Sequence, residues 1–394
     1  MKKHARLLAL LLAVVLTLSM GLVGGCQRSA EGEGGGEART ETIKIGVHTS
    51  LTGGLADYGF AAQEGLKLAR DKYTGFKVGD TTYEIELVIK DDKGEPAESS
   101  VVAQAMVDEK VVGVIGALTS GNTNAALPIY QEAGIPMISG SATLATLTDG
   151  SFPNFFRTCI GDSIQGKVLG DWAAEQGFKK VVIVDDKGDY AVGLGDNVED
   201  ALKAKSVEVV REHTQEGDTD FSAQVSNIKA AAPDAVIFTG YHREAGLLRK
   251  QLVDAGVETA YMGGDGVKSD EIVGEAGGAA NVEGMLATIG GIAQEDMADW
   301  EQFKADYTEA TGKEPGPYAE TNYDALGALV AAITKAGSTD GDAVIEALRE
   351  IEHTGITGTF GFDENGEFVA KGASARLVTI TKWKLADGKW VAAE

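Results

Sequence analysis

From Ile43 onward, short runs of β-branched residues alternate with amphipathic stretches of roughly ten to fifteen residues, and this alternation restricts the fold more than any other feature of the chain. Strands are expected at "IKIGVH", "YEIELVIK", "VVGVIGA", "PMIS", "KKVVIVD", "SVEVVRE", "DAVIFTG", "AYMGG" and "GMLATIG". Helical patterns lie between them at 60–73, 96–108, 163–176, 190–203, 221–231 and 244–255. Strands separated by helices imply βαβ units and parallel sheets, because a parallel pair needs a crossover long enough to hold a helix. The strands are too many for one small sheet.

Two sheets are also suggested by an internal echo. "LVIKDDKGEP" (87–96) and "VVIVDDKGDY" (181–190) each close an apolar strand with Asp-Asp-Lys-Gly ahead of a helix. The last part departs from strict alternation, with helices expected at 296–311, 318–336 and 340–349, followed by "ARLVTITKWKL" and "KWVAA" on either side of "ADG". Asp387-Gly388 between alternating runs predicts a hairpin. These elements are expected to complete two lobes and not to build a third.

The N-terminus is of another kind. "MKKHAR" precedes the apolar run "LLALLLAVVLTLSMGLV", which has the length of a signal-peptide core and is short for a membrane span. The run ends in "LVGGC", and cleavage before Cys26 would free its thiol to carry a lipid. The next stretch, "QRSAEGEGGGEART", has no apolar face to bury and reads as a flexible tether over 26–42. The 394-residue chain has a formal charge of −25, and loss of residues 1–25, with Lys2, Lys3 and Arg6, takes it three units lower to −28. Such an acidic surface argues against nucleic acid or an anionic membrane face as a partner. Cys159 alone would remain beside Cys26, so no internal disulfide is expected, and its setting in "FFRTCI" is that of a buried small hydrophobe.

Enzymatic motifs are absent. There is no G-x-G-x-x-G for a dinucleotide, no G-x-x-x-x-G-K-[ST] for a nucleotide and no G-x-S-x-G nucleophile elbow. His4, His48, His213, His242 and His353 lack the spacing of a zinc helix. Asp91-Asp92 and Asp185-Asp186 stand at strand ends, where aspartate ordinarily shapes a turn. No catalytic residues, cofactor or metal are expected.

The strand ends themselves suggest binding. In open α/β sheets ligands sit beyond the carboxyl ends of the strands. Here those ends read "HTSLTGGLADYG" (48–59), "LTSGNTN" (118–124), "SGSAT" (139–143), "DKGDY" (186–190), "TGYH" (239–242) and "GGDG" (263–266). Small residues allow close backbone approach, hydroxyls and helix N-termini can hold a carboxylate without Lys or Arg, and Asp265 stands alone among glycines.

Those stretches, with "IGALTSGNTNAALPIYQEAGIPMISGSAT", "FFRT", "GDTDFSAQV" and "FTGYHREAGLLRKQ", resemble the branched-chain amino acid binding proteins of ABC uptake systems, in order from Ile43 to about Asp324. The resemblance implies a type I periplasmic-binding-protein clamshell, two lobes of mostly parallel sheet joined by three hinge crossings. It sets the lobes at 43–158 with 290–358, and at 159–289 with 359–394. It implies that Ser120 and Thr143 bind a ligand carboxylate through hydroxyl and N–H groups, and that the Ser141 carbonyl receives an ammonium, with Ala142 between them. Tyr58, Tyr190, Tyr241 and Tyr318 would enclose the ligand. Asp265 falls where Leu/Ile/Val-specific members carry the longer Glu, and Gly94 and Thr119 occupy the positions of a disulfide found in some relatives. The expected function is capture of an apolar amino acid outside the cytoplasm by a lipid-anchored protein, with separate permease and ATPase chains as partners. The alternatives are a short amide, urea or aromatic acid as ligand, or a sensory role.

Overall fold

The computed structural model describes residues 39–393; the expected signal peptide, Cys26 and the expected tether up to residue 38 lie outside that range. Strand β1 spans Arg39–Thr49 and so begins inside the expected tether. Residues 39–42 pair in parallel with Thr81–Glu84, and that backbone pairing orders a segment whose side chains are too polar to announce a strand. Helix α1 (Ala56–Tyr73) follows, then β2 (Phe76–Val78), β3 (Thr81–Asp91), α2 (Pro96–Asp108), β4 (Gly113–Gly116), α3 (Ser120–Glu132), β5 (Met137–Ser139) and β6 (Phe155–Arg157). The six strands form one sheet in the order β2-β3-β1-β4-β5-β6, parallel except at β2.

The second half repeats the plan. Helix α4 (Asp162–Glu175) leads to β7 (Lys180–Asp185), α5 (Asp189–Ala204), β8 (Glu208–His213), α6 (Ser222–Ala231), β9 (Ala235–Phe238), α7 (His242–Asp254), β10 (Ala260–Gly263) and β11 (Leu286–Gly291). Their sheet has the order β8-β7-β9-β10-β11 and gains two antiparallel strands at its edge, β15 (Thr379–Ala386) and β16 (Lys389–Ala392). Asp387 and Gly388 between those strands have φ of 50° and 75°, as a tight two-residue hairpin requires. In β7 the period of two is plain, since Val181 and Ile183 pack on one face of the sheet while Val182 and Val184 pack on the other.

Between β11 and β15 run helices α8 (Trp300–Thr311), α9 (Ala319–Ala336) and α10 (Gly341–Leu348) and a small antiparallel sheet of β12 (His353–Gly355), β13 (Gly358–Phe362) and β14 (Phe368–Ala370). Ile43, Ile45 and Val47 of β1 share a core with Leu326, Leu329 and Ile333 of α9 and with Phe360 and Phe362 of β13. Phe368 packs on that core. Residues 359–370 of the small sheet, which the sequence reading placed in the second lobe with the rest of 359–394, thus carry Phe360 and Phe362 into the core built on β1. Helix α9 lies close enough to α1 that a Cβ on Gly65 would stand 2.2 Å from the Ala319 carbonyl oxygen. The chain crosses between lobes after β6, after β11 and after β14, which makes a two-lobed type I binding-protein architecture.

Candidate functional site

In each sheet the winding reverses next to the first strand, between β1 and β4 in one lobe and between β7 and β9 in the other. Loops leaving such a point diverge to opposite faces and open a crevice at the strand ends. Beyond β1, β4 and β7 the first turn of the next helix carries Tyr58, Ser120 and Tyr190, and beyond β9 Tyr241 caps α7. The Asp-Asp-Lys-Gly echo gives the same turn in both lobes: Gly94 N–H donates to Asp92 Oδ1 at 3.0 Å and Gly188 N–H donates to Asp186 Oδ1 at 2.8 Å. Asp91 and Asp185 likewise accept from the backbone at Lys93 and Lys187. Among the described residues no group of three His, Cys, Asp or Glu is arranged to hold a metal.

On the first-lobe wall, Ser120, Ser141, Ala142 and Thr143 come together. Ser120 Oγ accepts from Leu144 N–H at 3.2 Å, while Ser141 Oγ donates to the Leu118 carbonyl at 2.7 Å. The two loops are therefore stitched to each other, and the helix cap is supplied by Thr119, whose Oγ1 accepts from Asn122 N–H. Beneath them Arg157, 1% exposed, donates to the carbonyls of Leu144 (2.9 Å) and Ala142 (3.4 Å), to Thr148 Oγ1 (2.7 Å) and to Glu367. This guanidinium fixes the 142–148 segment from behind.

On the opposite wall, Asp265 is 4% exposed, and its carboxylate accepts from Tyr190 Oη (2.8 Å), Gln165 Nε2 (3.0 Å) and Tyr318 Oη (2.8 Å). Burial pushes its proton affinity up, against the pull of those three donors. Tyr190 Oη also accepts from Gly266 N–H, and Tyr58 Oη donates to the Gly266 carbonyl at 3.1 Å. Burial raises all four tyrosines, Tyr58, Tyr190, Tyr241 and Tyr318, well above the usual phenol range, so they stay neutral, with Tyr58, Tyr190 and Tyr318 donating. Tyr190 and Tyr241 lie 5.1 Å apart between ring centroids; Tyr58 and Tyr318 meet edge to face at 5.5 Å. Thr143, Gln165, Asp265 and Tyr318 line a cavity of about 1000 Å³, whereas Tyr190 and Tyr241 line another of about 380 Å³ with Thr119 and Asn122. Ser120, Ser141, Ala142 and Tyr58 line neither.

A sequence model of the family described as "Periplasmic binding protein" matches residues 42–389. The chain belongs to that family. This binding protein is 35% identical over 331 residues to the leucine-, isoleucine-, valine-, threonine- and alanine-binding protein of Pseudomonas aeruginosa, covering 83% of this chain and 87% of that one. The crystal structure of a leucine-binding protein from Thermotoga maritima superposes with a TM-score of 0.81 at 29% identity, over 89% of this chain and 98% of the other. A branched-chain amino acid transporter substrate-binding protein from Streptococcus pneumoniae, solved with isoleucine, gives 0.77 at 31% identity over 90% and 99%.

Several residues that join the lobes of the binding protein were not singled out by its sequence. Ser269 Oγ donates to Asp57 Oδ2 at 2.9 Å, His242 Nε2 lies 3.3 Å from Asp57 Oδ1, and Asn124 Nδ2 donates to Asp189 Oδ2 at 2.9 Å. Burial works against ionised Asp57, but His242 and Ser269 outweigh it and hold the carboxyl below its ordinary range. With Tyr58 and Tyr318, these bonds draw the two walls together in a closed cleft. Gln165 had no signal beyond its place in a helical pattern; Arg157 stood in "FFRT", inside an apolar run where a charge needs a buried partner.

Proposed function

We propose that this protein is the solute-binding component of an ABC importer and that it captures an aliphatic α-amino acid between its lobes. The observation that carries the reading is the Asp265 carboxylate, held by donors from both lobes and lining one cavity with Thr143. A carboxylate offers about four acceptor sites, and three are taken, which leaves one for an ammonium. The ligand carboxylate would be received by the 118–144 loops, as helix N-termini and hydroxyls allow. Tyr318 would wall the side chain in that cavity, while Tyr190 and Tyr241 line the smaller one and Tyr58 packs behind Tyr318. The amino acid ligands named for the relatives from P. aeruginosa and S. pneumoniae support the same class.

Delivery to the membrane would be through separate permease and ATPase subunits. Lipidation of Cys26 would keep the protein at the outer face of the membrane, a reading that rests on the sequence pattern of residues 1–26. The lobes we propose are 43–158 with 290 to about 370, and 159–289 with the C-terminal hairpin. Calorimetric titration against free amino acids, short amides and aromatic acids tests the function. An aliphatic amino acid at a hundred times its dissociation constant is expected to stabilise the protein by about 2.7 kcal/mol. Binding to no free amino acid would refute it.

A further inference from the structure

The smaller cavity, of about 380 Å³, stands apart from the Asp265 wall. Tyr190 divides the two spaces, since it lines the smaller one while its hydroxyl donates to Asp265, which lines the larger. Both lobes build the smaller cavity, with Thr119 and Asn122 from the first and Asp186 and Glu216 from the second. Asn122 is fully buried, and neither its Oδ1 nor its Nδ2 has a hydrogen-bond partner, although its backbone N–H and carbonyl are engaged by Thr119 Oγ1 and Ser99 Oγ. Asp186, 3% exposed, accepts from Gly188 N–H on Oδ1 and has no donor on Oδ2. Buried polar side chains are nearly always partnered, so two of them from opposite lobes on one cavity describe a seat for a ligand.

The adjoining Asp185 shows the contrast, for its carboxylate meets Arg211 at 2.6 Å and His213 at 2.8 Å. Asp186 is raised to about 6 by burial, and the charges that act on it are the like charges of Glu244 and Asp185. Glu216 adds negative charge to the lining, while Lys187, its basic member, is exposed. The seat therefore calls for a positive charge with N–H donors. Among the described residues no three His, Cys, Asp or Glu are arranged for a metal, and the volume is far above the roughly 15 Å³ that one water needs, so the fit is to a small organic cation. An ammonium satisfies Asp186 but has no acceptor for Asn122 Nδ2. A hydroxyl, which both donates and accepts, meets the two ends of that amide. An amino acid would instead bring a carboxylate beside Asp186 and Glu216.

We infer that the smaller cavity is a second binding site, for a small organic ammonium that also carries a hydroxyl, in which Asp186 takes the ammonium and Asn122 the hydroxyl. The occupant bridges the lobes beside the bond from Asn124 to Asp189, two residues that line the same cavity. The site uses neither Asp265 nor an amino acid in the larger cavity, so it stands or falls separately from the proposed function.

Ethanolamine is the probe, titrated calorimetrically into the protein at neutral pH and constant ionic strength, with leucine titrated separately. Ethylammonium lacks the hydroxyl, choline keeps it but has no N–H on its cation, and ethylene glycol has no charge. The expected result is that ethanolamine binds wild type, ethylammonium binds more weakly, and choline and ethylene glycol do not bind. Loss of a charge-assisted bond in Asp186→Asn should weaken ethanolamine roughly tenfold or more and leave leucine unchanged. Asn122→Ala, which keeps the backbone bonds at that position, should bring ethanolamine down to the level of ethylammonium and serves if the first variant does not fold. The inference is overturned if ethanolamine does not bind wild type, if both variants bind it within twofold of wild type, or if ethylammonium or choline binds as tightly. Parallel loss of leucine and ethanolamine in Asp186→Asn would mean a structural role and overturn it too. Leucine binding without ethanolamine binding would remove this site and leave the proposed function; ethanolamine binding that Asp186→Asn abolishes, with no amino acid bound, would do the reverse.

Discussion

Replacing Arg157 with Met keeps the aliphatic stem and removes the guanidinium, which tests how the first wall is held. The side chain is 1% exposed, whereas Glu367, its acidic partner, is 27% exposed. Breaking a buried ion pair by deleting one member costs about 3–5 kcal/mol. Glu367 recovers part of that by turning to water, but the carbonyls of Leu144 and Ala142 and the Thr148 hydroxyl cannot, and each abandoned acceptor costs about 1–3 kcal/mol. The expected loss is therefore roughly 3–5 kcal/mol. In urea, with a slope of about 3 kcal/mol per molar for a chain of this size, the midpoint should fall by about 1 to 1.7 M. Arg157→Lys should lie between, because a single ammonium cannot serve Glu367 and the carbonyls at once. Since the same carbonyls fix the 142–144 loop, ligand affinity measured on the folded variant should drop as well. A Met variant within 1 kcal/mol of wild type, or a Lys variant equal to it, would refute the view that this guanidinium organises the wall.

Tyr318→Phe removes a first-lobe donor from the buried Asp265 carboxylate while keeping the ring. A charge-assisted bond of about 1.5–3 kcal/mol corresponds to ligand binding some ten- to hundredfold weaker, which calorimetry and a faster dissociation rate would register. Asp186 is buried and its carboxyl is raised to about 6, with burial as the main cause. Because its folded value lies above that of the unfolded chain, the ionised group costs stability above pH 6, and the penalty is relieved as the pH falls toward 4. Asp186→Asn, which keeps the acceptor for Gly188 N–H, should thus be more stable than wild type by roughly 2–3 kcal/mol at pH 8 and nearly equal to it at pH 4 in denaturant titrations.

The elements legible in the sequence are those whose signal is local. β7 shows its unbroken "VVIV", α2 is announced by Pro96 at its first position, and the final hairpin is announced by Asp387-Gly388. β6, at three residues of "FFR", and β12 to β14, with their glycines and scattered aromatics, carry no such pattern and exist because distant segments pair with them. The lobe that receives Phe360 and Phe362 is decided by the path of the chain through the third crossing, which no short window encodes. At the site, the tyrosines and Asp265 stood out by type and position. Their convergence on one carboxylate did not, since it depends on residues 53 and 75 positions apart meeting, the first pair across the cleft and the second within one lobe. Gln165 is an ordinary polar residue of a helix until burial strips it of water.

The first lobe is assembled from two lengths of chain, 39–157 and 300–370, separated by nearly all of the second. This fixes an order of events during synthesis. When β6 has been made, the face of β1 that carries Ile43, Ile45 and Val47 is covered only in part, by Ala61, Leu66 and Ala69 of α1, because Leu326, Leu329 and Ile333 do not yet exist. Once β11 has been made, by contrast, the sheet of β7 to β11 lacks only its terminal hairpin. The half begun first is thus the half completed later, and until α9 emerges the nascent chain presents an apolar sheet face that a holding chaperone would recognise.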